Sequence, residues 1–187
     1  LEAKAKAPAP APLANDTASK PIAATPAKPA STATTPSPAK PDAARLAAVA
    51  KIERPSTGNA FEDSYSYGFR LWDAKFYPEA QIQLQKTVDA FPKHPRASFA
   101  RNLLGRAWLD DGKPATSTQI FLDNYQNDAK GERAPDSLLY LGIAMTRINE
   151  PGKACTVLKE LVEVYPDVAA GRLSKDLASA RKAAKCS

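Results

Sequence analysis

From Phe61 onward the apolar residues return at helical steps, and the same pattern appears three times. Phe61, Tyr65, Gly68, Leu71 and Trp72 lie on one face of a predicted first helix. Ala80, Leu84, Val88 and Phe91 predict a second helix, opened by Pro78 in its first turn and ended by Pro92. The second pair begins with Ala97, Arg101, Leu104, Gly105 and Trp108. It turns at Asp110-Asp111-Gly112-Lys113 and continues through Pro114, Ser117, Phe121 and Tyr125. The third pair carries Leu138, Leu141, Gly142 and Met145, turns at Asn149-Glu150-Pro151-Gly152, and ends with Ala154, Leu158, Leu161, Val162 and Tyr165.

The step between copies is constant. Gly68, Gly105 and Gly142 are spaced 105 − 68 = 37 and 142 − 105 = 37. Ala80, Ser117 and Ala154 follow the same step, as do Leu84, Phe121 and Leu158. A fixed period of this size marks stacked helical repeats, with bounds near 60–94, 95–133 and 134–166. Glycine inside a helix costs about 1 kcal/mol relative to alanine, so three at one register imply close packing that offsets the loss. The expectation is that Gly68, Gly105 and Gly142 in the first helices, with Ala80, Ser117 and Ala154 in the second, let paired backbones approach. One further helix, near 168–185, carries Leu173, Leu177, Ala180 and Ala184 on one stripe and would cap the stack.

Residues 1–57 read differently. They hold ten of the 17 prolines and no aromatic residue, too little apolar surface to offset the entropy of ordering. A flexible Ala/Pro/Lys-rich linker is expected there, extended and soluble, with a short helix at 42–54 from Leu46, Val49 and Ile52. Its eight Lys/Arg and four Asp/Glu supply +4 of the formal +6 charge. The foldable part, 58–187, is therefore nearly neutral, which argues against a nucleic-acid face. No apolar run approaches the ~20 residues of a membrane span. The opening Leu1-Glu2-Ala3-Lys4 lacks an initiator Met and the pattern of a signal peptide, as expected of a processed or truncated product.

The pattern resembles the tetratricopeptide repeat, whose usual period is about 34 residues. Tyr67-Gly68 with Leu71, Leu104-Gly105 with Trp108, and Leu141-Gly142 with Met145 carry that resemblance, together with Pro92 and Pro166 as closing prolines. The second repeat departs from it, with Asn127-Asp128-Ala129-Lys130-Gly131 in place of a closing proline. The fold class implied is all-α: a tetratricopeptide-like superhelix of three helix-turn-helix repeats and a C-terminal capping helix, preceded by a disordered linker. The longer step, the linker and the segments 65–72, 101–106 and 134–142 are similar to the C-terminal domain of the YbgF/CpoB family. That resemblance implies a periplasmic scaffold of the Tol-Pal and cell-division machinery. It also implies TolA and a bifunctional penicillin-binding peptidoglycan synthase as partners. The N-terminal coiled coil that oligomerises many members of that family is not identifiable here.

Cys155 and Cys186 are the only cysteines. Two outcomes are open: a disulfide pinning the cap to the third repeat in an oxidising compartment, or a buried Cys155 with a free Cys186. The disulfide is the expectation. No zinc site is expected from two cysteines and one histidine. His94 lies between Lys93 and Pro95, without an orienting partner or cleft, and is expected to be a solvated loop residue. Asp110 and Asp111 read as a polar turn. No nucleophile elbow, phosphate loop or metal cluster is present, so neither enzymatic activity nor a cofactor is expected.

In tetratricopeptide folds the first helices line the concave face. At that register Tyr65, Phe69 and Trp72 are followed by Asn102, Arg106 and Leu109, then Leu139 and Ile143. An aromatic and apolar stripe beside Asn and Arg suits a bound protein segment. Two alternatives stand beside it: Phe69 and Trp72 are core residues, or the repeats pack on one another as a homo-oligomer. An adaptor role in another envelope complex is a further alternative.

Overall fold

The computed structural model describes residues 43–187. The linker expected over 1–57 lies outside them as far as residue 42. The described part is helical, with no strand among the described residues. A short helix, α1 (Ala43–Ala50), precedes three pairs: α2 (Ala60–Asp73) with α3 (Tyr77–Ala90), α4 (Ala97–Asp110) with α5 (Pro114–Asn127), and α6 (Ala134–Arg147) with α7 (Pro151–Val164). Two helices close the chain, α8 (Pro166–Ala170) and α9 (Ser174–Ala184).

The step of 37 extends to the helix ends. First helices begin at 60, 97 and 134, and second helices at 77, 114 and 151. After each first helix one residue turns left-handed: Lys75 at φ 63°, Gly112 at 74° and Asn149 at 63°. The next amide closes the helix by bonding five residues back, Phe76 to Leu71, Lys113 to Trp108 and Glu150 to Met145. A proline in the first turn of each second helix loses no intrahelical bond. The start of α2 is capped locally: the Asn59 side chain accepts from the Glu62 amide, and Asp63 accepts from the Thr57 amide at 2.9 Å and its hydroxyl at 2.7 Å.

Inside each repeat the glycine faces a large side chain sixteen residues later. A Cβ on Gly68 would come within 2.6 Å of Leu84, on Gly105 within 2.5 Å of Phe121, and on Gly142 within 2.6 Å of Leu158. Leu84, Phe121 and Leu158 are fully buried. The glycine is thus a socket for a large side chain. Ala80, Ser117 and Ala154 are also fully buried, one turn before those residues.

Two apolar cores result. One joins the first two repeats around Tyr67, Leu71, Leu84, Leu103 and Leu104. The other joins the second and third repeats to the cap around Phe121, Leu138, Leu141, Leu158 and Leu161. The cap differs from the single helix expected over 168–185. It breaks at Gly171, where a side chain would press to 2.8 Å from the Asp167 carbonyl oxygen. After the break α9 packs against both α6 and α7, closing the last repeat. Cys155 and Cys186 are joined by a disulfide, with Cα atoms 5.4 Å apart. At the other end α1 buries no residue, and its Leu46 is 53% exposed. A bidentate Arg45–Glu79 pair holds it, with Arg45 stacked over Phe76 at 5.3 Å.

Candidate functional site

First helices touch one another, α2 with α4 and α4 with α6, whereas α3, α5 and α7 make no comparable contact among themselves. The first helices therefore form the inner face of the stack. The sequence places eight residues on this face, and the structure divides them.

Phe69 is 42% exposed and lies 5.7 Å from the Trp72 ring. Trp72 is half-buried and donates its indole N–H to Asp110 Oδ2 at 2.9 Å. Arg106 is half-buried and lies between two rings, 4.4 Å from the Trp72 centroid and 4.9 Å from that of Tyr140. This row crosses α2, α4 and α6 in turn. Tyr65 stands beside it, half-buried, stacked on Phe61 and edge-on to Phe99 at 6.4 Å. Burial pushes the Tyr65 and Tyr140 phenols above their ordinary value, against the opposing pull of nearby arginines, so both present neutral rings at pH 7. Ile143, half-buried, lines an open cleft of about 340 Å³ between α6 and α9.

Asn102, Leu109 and Leu139 are interior, which corrects the reading of them as groove contacts. Asn102 donates to the Ser137 hydroxyl at 3.0 Å and ties α4 to α6. Leu109 and Leu139 belong to the C-terminal core, and Leu139 forms only the floor of the cleft. The physical reason is the close approach of α4 and α6, which turns these positions into the seam between neighbouring first helices. His94 is also corrected. Its ring stacks on Phe61 at 3.8 Å and its Nδ1 accepts from the Arg96 amide at 3.2 Å, so it is a junction residue.

The stripe expected from sequence misses Tyr140, Phe99 and the α9 wall of the cleft. Tyr140 lies one position off the expected register, where the earlier repeats carry Ser66 and Leu103. A tyrosine at an otherwise non-aromatic register was the available signal. Phe99 lies between two guanidinium groups, Arg96 at 4.6 Å and Arg133 at 4.7 Å, and both arginines are ion-paired, to Glu62 and Asp136. Among the described residues no His, Cys, Asp and Glu side chains gather as a metal site, and no helix is long and apolar enough to cross a membrane.

No family model matches the chain, and no curated protein matches it. Among solved structures it is similar to a kinesin light chain-like protein of Podosopora anserina with nearly identical TPR-like repeats. The TM-score is 0.54 at 18% identity, over 75% of this chain and 74% of that one. A single-residue variant of the same protein gives 0.55 at the same identity and coverage. The likeness is one of fold: tetratricopeptide-like repeats.

Proposed function

We propose that this chain is a non-enzymatic scaffold that binds a protein segment on the inner face of its first helices. The observation that carries this reading is the row Phe69–Trp72–Arg106–Tyr140. It is an accessible aromatic and cationic surface laid across three successive first helices and held by a rigid stack. The finer reading rests on the resemblance to the YbgF/CpoB C-terminal domain. It sets the protein in the periplasm, with TolA and a bifunctional penicillin-binding peptidoglycan synthase as partners, coordinating outer-membrane constriction with peptidoglycan synthesis. The Cys155–Cys186 disulfide supports an oxidising compartment.

The test is calorimetric titration of the full chain with soluble TolA and with the soluble part of such a synthase. Phe69→Ala is the informative variant, because Phe69 is exposed and contributes little to either core. We expect at least tenfold weaker binding with an unchanged melting temperature. Absence of binding to both proteins contradicts the finer reading. Affinity indifferent to Phe69→Ala contradicts the assignment of the inner face. Light scattering addresses self-association, and a stable dimer whose interface includes Phe69 would favour the homo-oligomer instead.

A further inference from the structure

The environment of Arg106 narrows the chemistry of the segment that the inner face takes. A guanidinium carries five N–H donors and a permanent charge. Among the described residues Arg106 makes no ion pair within 4 Å, and its Nε is buried without a hydrogen-bond partner. Arg96 is paired with Glu62, and Arg133 and Arg172 with Asp136, while Arg147, also without an ion pair among the described residues, donates to the Leu109 carbonyl at 3.0 Å. The nearest acid along α4, Asp110, accepts the Trp72 indole N–H and forms no ion pair with Arg106. The Trp72 and Tyr140 rings fix the guanidinium plane from two sides, so its side chain is already ordered before any partner arrives.

Tyr140 belongs to two features at once. It stacks on Arg106, and it lines the cleft between α6 and α9, which has Leu139 at its floor and Ile143, Asp176, Ser179, Ala180 and Ala183 around it. At about 340 Å³ the cleft has room for one or two apolar side chains. Asp176 stands at its wall and opposes an anion inside it. The charge therefore separates by position, an anion over Arg106 and an apolar group beside Asp176. Neighbouring packed helices lie 8–10 Å apart, roughly three residues of extended chain.

The geometry points to a carboxylate-bearing extended peptide as the occupant. Its carboxylate sits on Arg106 between Trp72 and Tyr140, and an apolar side chain about three residues away enters the α6–α9 cleft. This inference rests on the reading of the inner face as the binding surface. The carboxylate could be an Asp or Glu side chain or a chain terminus, and the test separates these sources.

A random twelve-residue peptide library is panned on the immobilised full chain in two formats, one with a free C-terminus and one embedded between carrier segments. Winning peptides are synthesised and titrated against wild type, Arg106→Gln, Arg106→Lys, Ala183→Trp and Phe69→Ala, with circular dichroism confirming that each variant is folded. The expected winners carry a carboxylate with an apolar residue about three positions away. Enrichment in the embedded format identifies a side-chain carboxylate, and enrichment confined to the free format identifies the terminus. Arg106→Gln should weaken these peptides about 10- to 100-fold, as for a lost charge-assisted contact. Arg106→Lys should recover part of the affinity. Ala183→Trp, at an exposed position, should block the cleft and weaken binding without touching Arg106. Winners without acidic preference, or with affinity indifferent to both Arg106→Gln and Ala183→Trp, overturn the inference. If such winners still lose affinity in Phe69→Ala, the broader reading survives. If no peptide binds, or none responds to Phe69→Ala, Arg106→Gln or Ala183→Trp, both readings fall.

Discussion

At the junction between the first and second repeats, Phe61 lies against the His94 ring at 3.8 Å, with Tyr65 stacked beside it and Phe91 edge-on at 5.7 Å. One step of 37 later the same registers hold Ser98 for Phe61, Asn102 for Tyr65, Asn124 for Thr87 and Gly131 for His94. The second junction is small and polar. Asn124, fully buried, donates to the Ser98 carbonyl at 3.1 Å and the Ser137 hydroxyl at 2.8 Å. A Cβ on Gly131 would come within 2.6 Å of Ser98. Rings fill one junction, while a glycine–serine approach and directed hydrogen bonds close the other. Both hold the same helical step, so junction chemistry does not set the period. The glycine sockets inside each repeat and the left-handed turns at 75, 112 and 149 repeat without this variation in kind. The ends differ in the opposite sense: the aromatic half ends in the lightly held α1, and the polar half ends in α9 beneath a disulfide.

Phe61→Ala probes the aromatic junction and carries the largest expected effect. Truncating this buried ring should destabilise the fold by about 3–5 kcal/mol, measured by denaturant unfolding. Its register mate Ser98→Ala should cost under ~1.5 kcal/mol, for loss of a hydroxyl that accepts from the Arg133 amide at 3.2 Å and from Asn124 Nδ2 at a long 3.4 Å, without a ring-sized cavity. Equal losses at the two positions would break the contrast.

At the polar half, replacing Cys155 and Cys186 together with serine should cost about 3–4 kcal/mol by the chain-entropy account of a loop this long. Hydrogen exchange should speed up in α9 while α2 keeps its protection. Asn124→Ala removes the donor shared by Ser98 and Ser137 and should cost about 1–3 kcal/mol. A loss near zero would show that the polar network adds nothing to the junction.

The smallest effect belongs to α1. Hydrogen bonding to Arg45 holds the Glu79 carboxyl below its ordinary value. A depressed carboxylate stabilises the fold above its unfolded value, about 4.3, and loses that contribution as pH falls through the lower folded value. Glu79→Gln should therefore be less stable than wild type at pH 7, by about 0.5–1 kcal/mol for a partly exposed pair, with the gap closing as the wild-type carboxyl is protonated in acid. A gap that persists in acid would mean that the pair contributes through packing rather than charge.

The architecture was legible because it repeats. Gly68, Gly105 and Gly142 announced the step, and all-α tetratricopeptide-like repeats follow from it. The identity of what each glycine admits was less legible: periodicity pairs registers without saying which side chains touch, and Leu84, Phe121 and Leu158 fill the sockets. His94 was misread because its register mates, Gly131 and Val168, share no chemistry with it. Asn102, Leu109 and Leu139 were misplaced because a stripe drawn on separate helices ignores how closely α4 and α6 approach. Phe69, Trp72 and Arg106 reach the inner face because the step between first helices leaves their side uncovered.

The most direct measurement of the central claim is amide chemical-shift mapping of the ¹⁵N-labelled chain during titration with soluble TolA. The account predicts perturbations concentrated on the inner face of α2, α4 and α6, around Phe69, Trp72, Arg106 and Ile143. Perturbations confined to α3, α5 and α7, or none at saturating concentration, would contradict it.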